Sequence, residues 1–176
     1  EPQLIDNREQ VIDPLTAYQM VSILEGVVQR GTATVVKSVG KPLAGKTGTT
    51  NDAKDVWFVG FSPDLAVGIY LGYDRPRSLG NSATAGQYAA PIFRDFMAMA
   101  LEGKPATPFR VPPGIKLIRV DAATGQRATG QGGRTILEAF KPGTAPPNGY
   151  VVGYSGAPAE TDAPSAGVGS GSGGLY

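Results

Sequence analysis

Three β-forming runs succeed one another between residues 44 and 73, with only short turns between them. Ala44 to Thr50 has little side-chain bulk. After the turn Asn51-Asp52-Ala53-Lys54 comes Val56-Trp57-Phe58-Val59-Gly60-Phe61, and after Ser62-Pro63-Asp64 comes Leu65 to Tyr73. Neighbouring runs a turn apart make a hairpin, so three in succession predict an antiparallel meander. The second and third runs are apolar at nearly every position instead of alternating, which predicts a sheet covered by helices on both faces.

Helical patterns flank the meander. Asp13-Pro14 reads as an N-cap followed by a proline where no amide donor is needed. Leu15, Tyr18, Val21, Leu24 and Val28 then recur at helical spacing, with Met20, Ile23 and Val27 widening the apolar face. The expectation is a mostly buried helix with Gly31 as a left-handed stop and Gly26 against a close neighbour. Residues 32–43 read as an irregular connection. Ala85 to Leu101 repeats the helical pattern, with Pro91 beginning or kinking it and Gly103 closing it. Helix, meander, helix defines an α+β fold with an antiparallel sheet flanked by helices.

Beyond Lys104-Pro105 the composition shifts. Of 176 residues, 25 are glycine and 15 proline, an excess concentrated in the last third. Three units are expected: residues 1–104 as the α+β unit, 105–154 as a small β-rich appendage built on Ile115 to Val120, and 155–176 as a disordered tail.

Composition narrows the chemistry. There is no cysteine and no histidine, which removes cysteine nucleophiles, Ser-His-Asp triads, and thiolate or imidazole metal sites. Sixteen basic and fifteen acidic residues, without a basic stripe, argue against a nucleic-acid partner. No stretch is apolar enough to span a bilayer, and the opening Glu1-Pro2-Gln3 fits a piece of a longer polypeptide.

The informative motif is Ala44-Gly45-Lys46-Thr47-Gly48-Thr49-Thr50. On a strand, Lys46 and Gly48 share one face, and Thr47 and Thr49 the other. Gly48 lets another backbone approach, as a peptide added to a strand edge would. An ammonium and two hydroxyls suit a peptide's terminal carboxylate. Two other matches compete. Gly40 to Thr47 fits G-x-x-x-x-G-K-[ST], a phosphate-binding loop that would make the chain a nucleotide hydrolase. That mechanism needs a helix beginning at Lys46-Thr47, whereas a turn and a strand-like run follow. Ser38-Val39-Gly40-Lys41 is formally S-x-x-K, but Gly40 and Pro42 oppose the helix a catalytic S-x-x-K requires.

Taken in order, five blocks resemble the class A penicillin-binding proteins. They are Tyr18 to Gly31, Ala44 to Thr50, Asp55-Val56-Trp57-Phe58-Val59-Gly60-Phe61, Gly72-Tyr73-Asp74, and Ala89-Ala90-Pro91-Ile92-Phe93. The resemblance covers about residues 8–110 and implies the C-terminal half of a β-lactamase/transpeptidase-like domain. It implies acyl transfer in peptidoglycan synthesis: a serine, supplied by an upstream part of the same polypeptide, attacks a stem peptide ending in D-Ala-D-Ala. β-Lactams would mimic that donor. Lys46 would supply positive potential and bias the proton relay. Thr47 and Thr49 would hold the carboxylate, Gly48 would keep the groove open, and the Thr49 amide would serve as an oxyanion donor. Trp57, typical of the family, is expected to be a core aromatic. No cofactor or metal is implied. Location at the periplasmic face of the inner membrane, anchored through an N-terminal segment outside this chain, follows from the family alone.

The chain has no S-x-N, and its only S-x-x-K is the unsuitable one. The isolated piece is therefore expected to be inactive and to leave part of its sheet and first helix bare. An alternative reading is a non-catalytic envelope-binding remnant.

Overall fold

The computed structural model describes residues 9–80, 82–128 and 133–147. The expected tail from 155 lies outside them. Helix α1 (Pro14–Arg30) begins as anticipated: the Asp13 carboxylate accepts from the Thr16 amide at 2.9 Å. It ends differently. Gly31 donates to Val27 O at 3.1 Å with φ of −105°, so it is not a left-handed stop. Glycine fits there because a Cβ would lie 2.9 Å from the Val27 Cα. The helix is also less buried than expected. Only Gly26 and Val28 are fully covered, and Met20 and Ile23 are about half exposed. The space over Gly26 is taken by the Arg30 guanidinium rather than by another element.

The stretch expected to be irregular holds a 3₁₀ helix, Thr34–Val39, closed by Gly40 at φ 69°. Three strands follow: β1 (Ala44–Thr49), β2 (Asp55–Phe61) and β3 (Ala66–Gly72), paired antiparallel in the order β1-β2-β3. The register sets Lys46 opposite Val59, Gly48 opposite Trp57, and Trp57 opposite Tyr70. Helix α2 (Ala89–Ala100) has Pro91 in its first turn, where a missing donor costs nothing.

One face of the sheet is packed. Val56 and Phe58 are fully buried against Phe93 and Met97 of α2 and Val36 of the 3₁₀ helix. The Phe58 and Phe93 rings sit 4.7 Å apart. Both rings occupy the space a side chain at Gly60 would need, since a Cβ there would come within 2.7 Å of each. The opposite face is not covered within the described residues. Trp57, Val59 and Tyr70 are 45%, 53% and 51% exposed. Trp57 is thus not a core aromatic; it stacks on Tyr70 at 4.7 Å on the bare face. The apolar runs do mark two faces wanting cover, but α2 and the 3₁₀ helix supply it for one only.

The appendage is a hairpin of β4 (Lys116–Asp121) and β5 (Thr135–Phe140). Asp121 closes its turn by accepting from the Thr124 amide and hydroxyl and then the Ala123 amide, contacts that lower its pKa. The outer edge of β5 lies along α1, where Gln19 donates to Ala139 O at 3.0 Å and Arg30 pairs with Glu138. Lys141, just past β5, pairs with Asp13 at 3.1 Å. Bonds from Thr16 and then from Lys141 hold the Asp13 carboxyl down at about 2. A depressed carboxyl contributes stability above its unfolded pKa and loses it as pH falls through the folded one. The melting-temperature gap between the parent chain and Asp13→Asn should therefore be full above about pH 4, narrow as pH falls, and close near pH 2. Thermal melts across that range check it.

Candidate functional site

Strand β1 has β2 on one side and, among the described residues, no strand on the other. Thr50 N–H bonds Asp55 O at 3.1 Å at the end of the β1–β2 ladder. Bonded and non-bonded pairs alternate in an antiparallel ladder, so Thr49 and Thr47 turn their backbone groups away from β2, toward the open edge. Lys46 agrees with this: its Nζ curls round to donate to Thr47 O at 2.9 Å.

The side chains divide as strand geometry demands. Lys46 and Gly48 lie on the bare face with Trp57 and Val59, and a Cβ on Gly48 would rest 3.5 Å from the Trp57 Cβ. Thr47 and Thr49 lie on the packed side, at its rim. Thr47 Oγ1 is 2.8 Å from Thr32 Oγ1, just past the end of α1. Thr49 Oγ1 accepts the Ala85 amide at 3.1 Å. Behind these contacts the segment 82–88 packs against the residues just past α1: a Cβ on Gly86 would lie 2.6 Å from Thr32 O.

Donor accounting shows what this edge can bind. An ammonium has three protons, and Lys46 spends one on Thr47 O. In the Thr32–Thr47 pair one hydroxyl donates to the other, which leaves one proton free. Thr49 accepts from Ala85 and keeps its own proton. With the Thr47 and Thr49 amides, the edge presents a row of donors about two residues long. That array suits a carboxylate and, one residue away, a polarised carbonyl. Thr32 and Ala85 carry no signal in the sequence, because both act through hydrogen bonds that only the fold creates.

Lys46, Thr47, Gly48 and Thr49 thus lie together on one open edge. The two competing motifs do not form sites. Lys46-Thr47 continues as a strand, so no helix N-terminus stands there to receive phosphate. Ser38 sits at the end of the 3₁₀ helix and donates to Val35 O at 2.9 Å, while Lys41 donates to Lys104 O. Among the described residues no group of His, Cys, Asp or Glu could hold a metal ion, and no helix is long and apolar enough to cross a membrane.

Residues 1–98 match the family described as penicillin binding protein transpeptidase domain. The chain is 51% identical over 131 residues to penicillin-binding protein 1A of Rickettsia conorii, covering 74% of this chain and 16% of that protein. Penicillin-binding protein 1A of Neisseria lactamica is 46% identical over 110 residues, covering 62% of this chain and 14% of that one. In three dimensions the chain is similar to the crystal structure of penicillin-binding protein 1A from Haemophilus influenzae. The TM-score is 0.69 at 32% identity, over 80% of this chain and 22% of that one. The chain therefore spans about a sixth of the length of the Rickettsia relative.

Proposed function

The chain belongs to the family of penicillin-binding protein transpeptidase domains, and from that premise we propose that it supplies the substrate strand of a peptidoglycan DD-transpeptidase. The reaction is acyl transfer through a serine acyl-enzyme, with the serine contributed by an upstream part of the same polypeptide. A stem peptide ending in D-Ala-D-Ala adds to the open edge of β1. Its terminal carboxylate is held by Lys46 and the Thr47 and Thr49 hydroxyls. The scissile carbonyl lies against the Thr49 amide, which stabilises the oxyanion as the serine attacks. The bond to the last D-Ala breaks, that residue leaves as the free amine, and an amine of a second stem peptide takes the acyl group. β-Lactams enter as donor mimics. Work on peptidoglycan puts the site on the outer side of the inner membrane, reached through an anchor elsewhere in the polypeptide.

The observation that carries this reading is the Lys46-Thr47-Gly48-Thr49 run on a strand edge with most of its donors still free. Gly48 supports it, because only a residue without a side chain leaves the Trp57 side of the edge open to a second backbone.

The test compares labelling by a fluorescent penicillin in two samples. The 176-residue chain alone should give no covalent adduct, because it lacks a suitable S-x-x-K. A longer polypeptide containing the upstream part should be labelled with one equivalent. A stoichiometric penicilloyl adduct on the short chain would show that its own residues supply the nucleophile and would sink the division of labour proposed here.

A further inference from the structure

The proposed function fixes a direction along β1. With the terminal carboxylate near Thr47 and the scissile carbonyl near Thr49, the rest of the donor peptide must run on past Thr49. It then passes over the turn at residues 50–54 and the end of the sheet.

That end is crossed by the segment joining β3 to α2. It leaves β3 after Gly72, is tied to the turn by Leu79 N–H on Ala53 O at 2.8 Å, and returns to β1 where Ala85 N–H meets Thr49 Oγ1 at 3.1 Å. A further bond, Gly80 N–H to Ser78 Oγ at 3.1 Å, stiffens it. The segment carries Arg75 and Arg77, both exposed. Arg77 sits over Tyr73, with its Cζ 3.8 Å from the ring centroid. A guanidinium held over a ring face is ordered by it and still has N–H groups left to take a carboxylate with two parallel bonds. Lys54 differs: its ammonium sits 3.4 Å from the Asp52 carboxylate. No carboxylate pairs with Arg77 among the described residues. Asp52 and Asp74 share this end of the sheet, so any preference must come from the ordered guanidinium of Arg77 rather than from net charge.

Resting on the stem-peptide reading, we infer that Arg77, with Arg75 beside it, forms a specificity subsite for a carboxylate that the donor peptide carries upstream of its scissile bond.

The experiment uses the longer polypeptide and three acylating substrates. One is a fluorescent penicillin; the other two are D-Ala-D-Ala peptides that differ in having a free or an amidated carboxyl two residues before the scissile bond. The parent should prefer the free carboxylate by about tenfold or more in kcat/KM, the scale of one charge-assisted pair. Arg77→Ala should bring the ratio close to one, and Arg77→Lys should restore part of it. Penicillin labelling should be unchanged in all three proteins. If Arg77→Ala lost penicillin labelling through misfolding, Arg77→Gln, which keeps a stem on the Tyr73 ring, would be read in its place. No preference in the parent, or the same preference in the folded variants, overturns the subsite. Failure of the parent to take up penicillin at all would count against the transpeptidase reading instead.

Discussion

Replacing Phe58 by alanine should cost the isolated chain several times more stability than replacing its neighbour Trp57. Phe58 is fully buried and packs on Phe93 at 4.7 Å, so its loss opens a cavity between rings that α2 cannot close. Truncating such a residue costs about 3–5 kcal/mol, a large share of the ~5–15 kcal/mol that holds a domain together. Trp57 is 45% exposed and forfeits little beyond its stacking on Tyr70, which amounts to ~0.5–1.5 kcal/mol. Urea midpoints at constant slope give the comparison. Equal costs would mean that the bare face is covered in solution, and sedimentation would then show self-association through it.

Lys46→Ala in the longer polypeptide should slow acylation by a β-lactam by roughly 10²-fold or more, the scale on which one aimed electrostatic group acts in such sites. In the isolated 176-residue chain the same substitution should leave the melting temperature unmoved. The side chain is exposed and its one hydrogen bond goes to its neighbour's carbonyl; changes of that kind stay within about 0.5 kcal/mol. Stopped-flow acylation alongside a thermal melt separates the two effects. Unaltered acylation would remove the ammonium from the site and leave the Thr47 and Thr49 donors to explain carboxylate binding.

Much of the architecture was legible because it is local. Asp13-Pro14 starts α1 through contacts three residues apart, and the turns at 51–54 and 62–64 leave each strand no partner but the next. Sequence spacing also assigned Lys46 and Gly48 to one face of β1 and Thr47 and Thr49 to the other. What escaped depends on distant parts of the chain. Gly31 looked like a left-handed cap, yet it is set by crowding against Val27. The apolar run through Trp57 and Val59 read as interior, because a pattern reports that a face wants covering without naming what covers it. Thr32 meets Thr47, and Ala85 meets Thr49, only after the segment beyond β3 has crossed the sheet and come back.

Lys46 shares its face of the sheet with Trp57, Val59 and Tyr70. The surface that awaits a hydrophobic cover is therefore the surface from which the ammonium projects. On the proposed reading, sealing that face and bringing a nucleophile to Lys46 are one event, so a half-assembled protein has no intermediate level of reactivity. Penicillin would then serve as a reporter of maturation: during refolding, the covalent label should appear in step with the burial of Trp57 fluorescence, and never ahead of it.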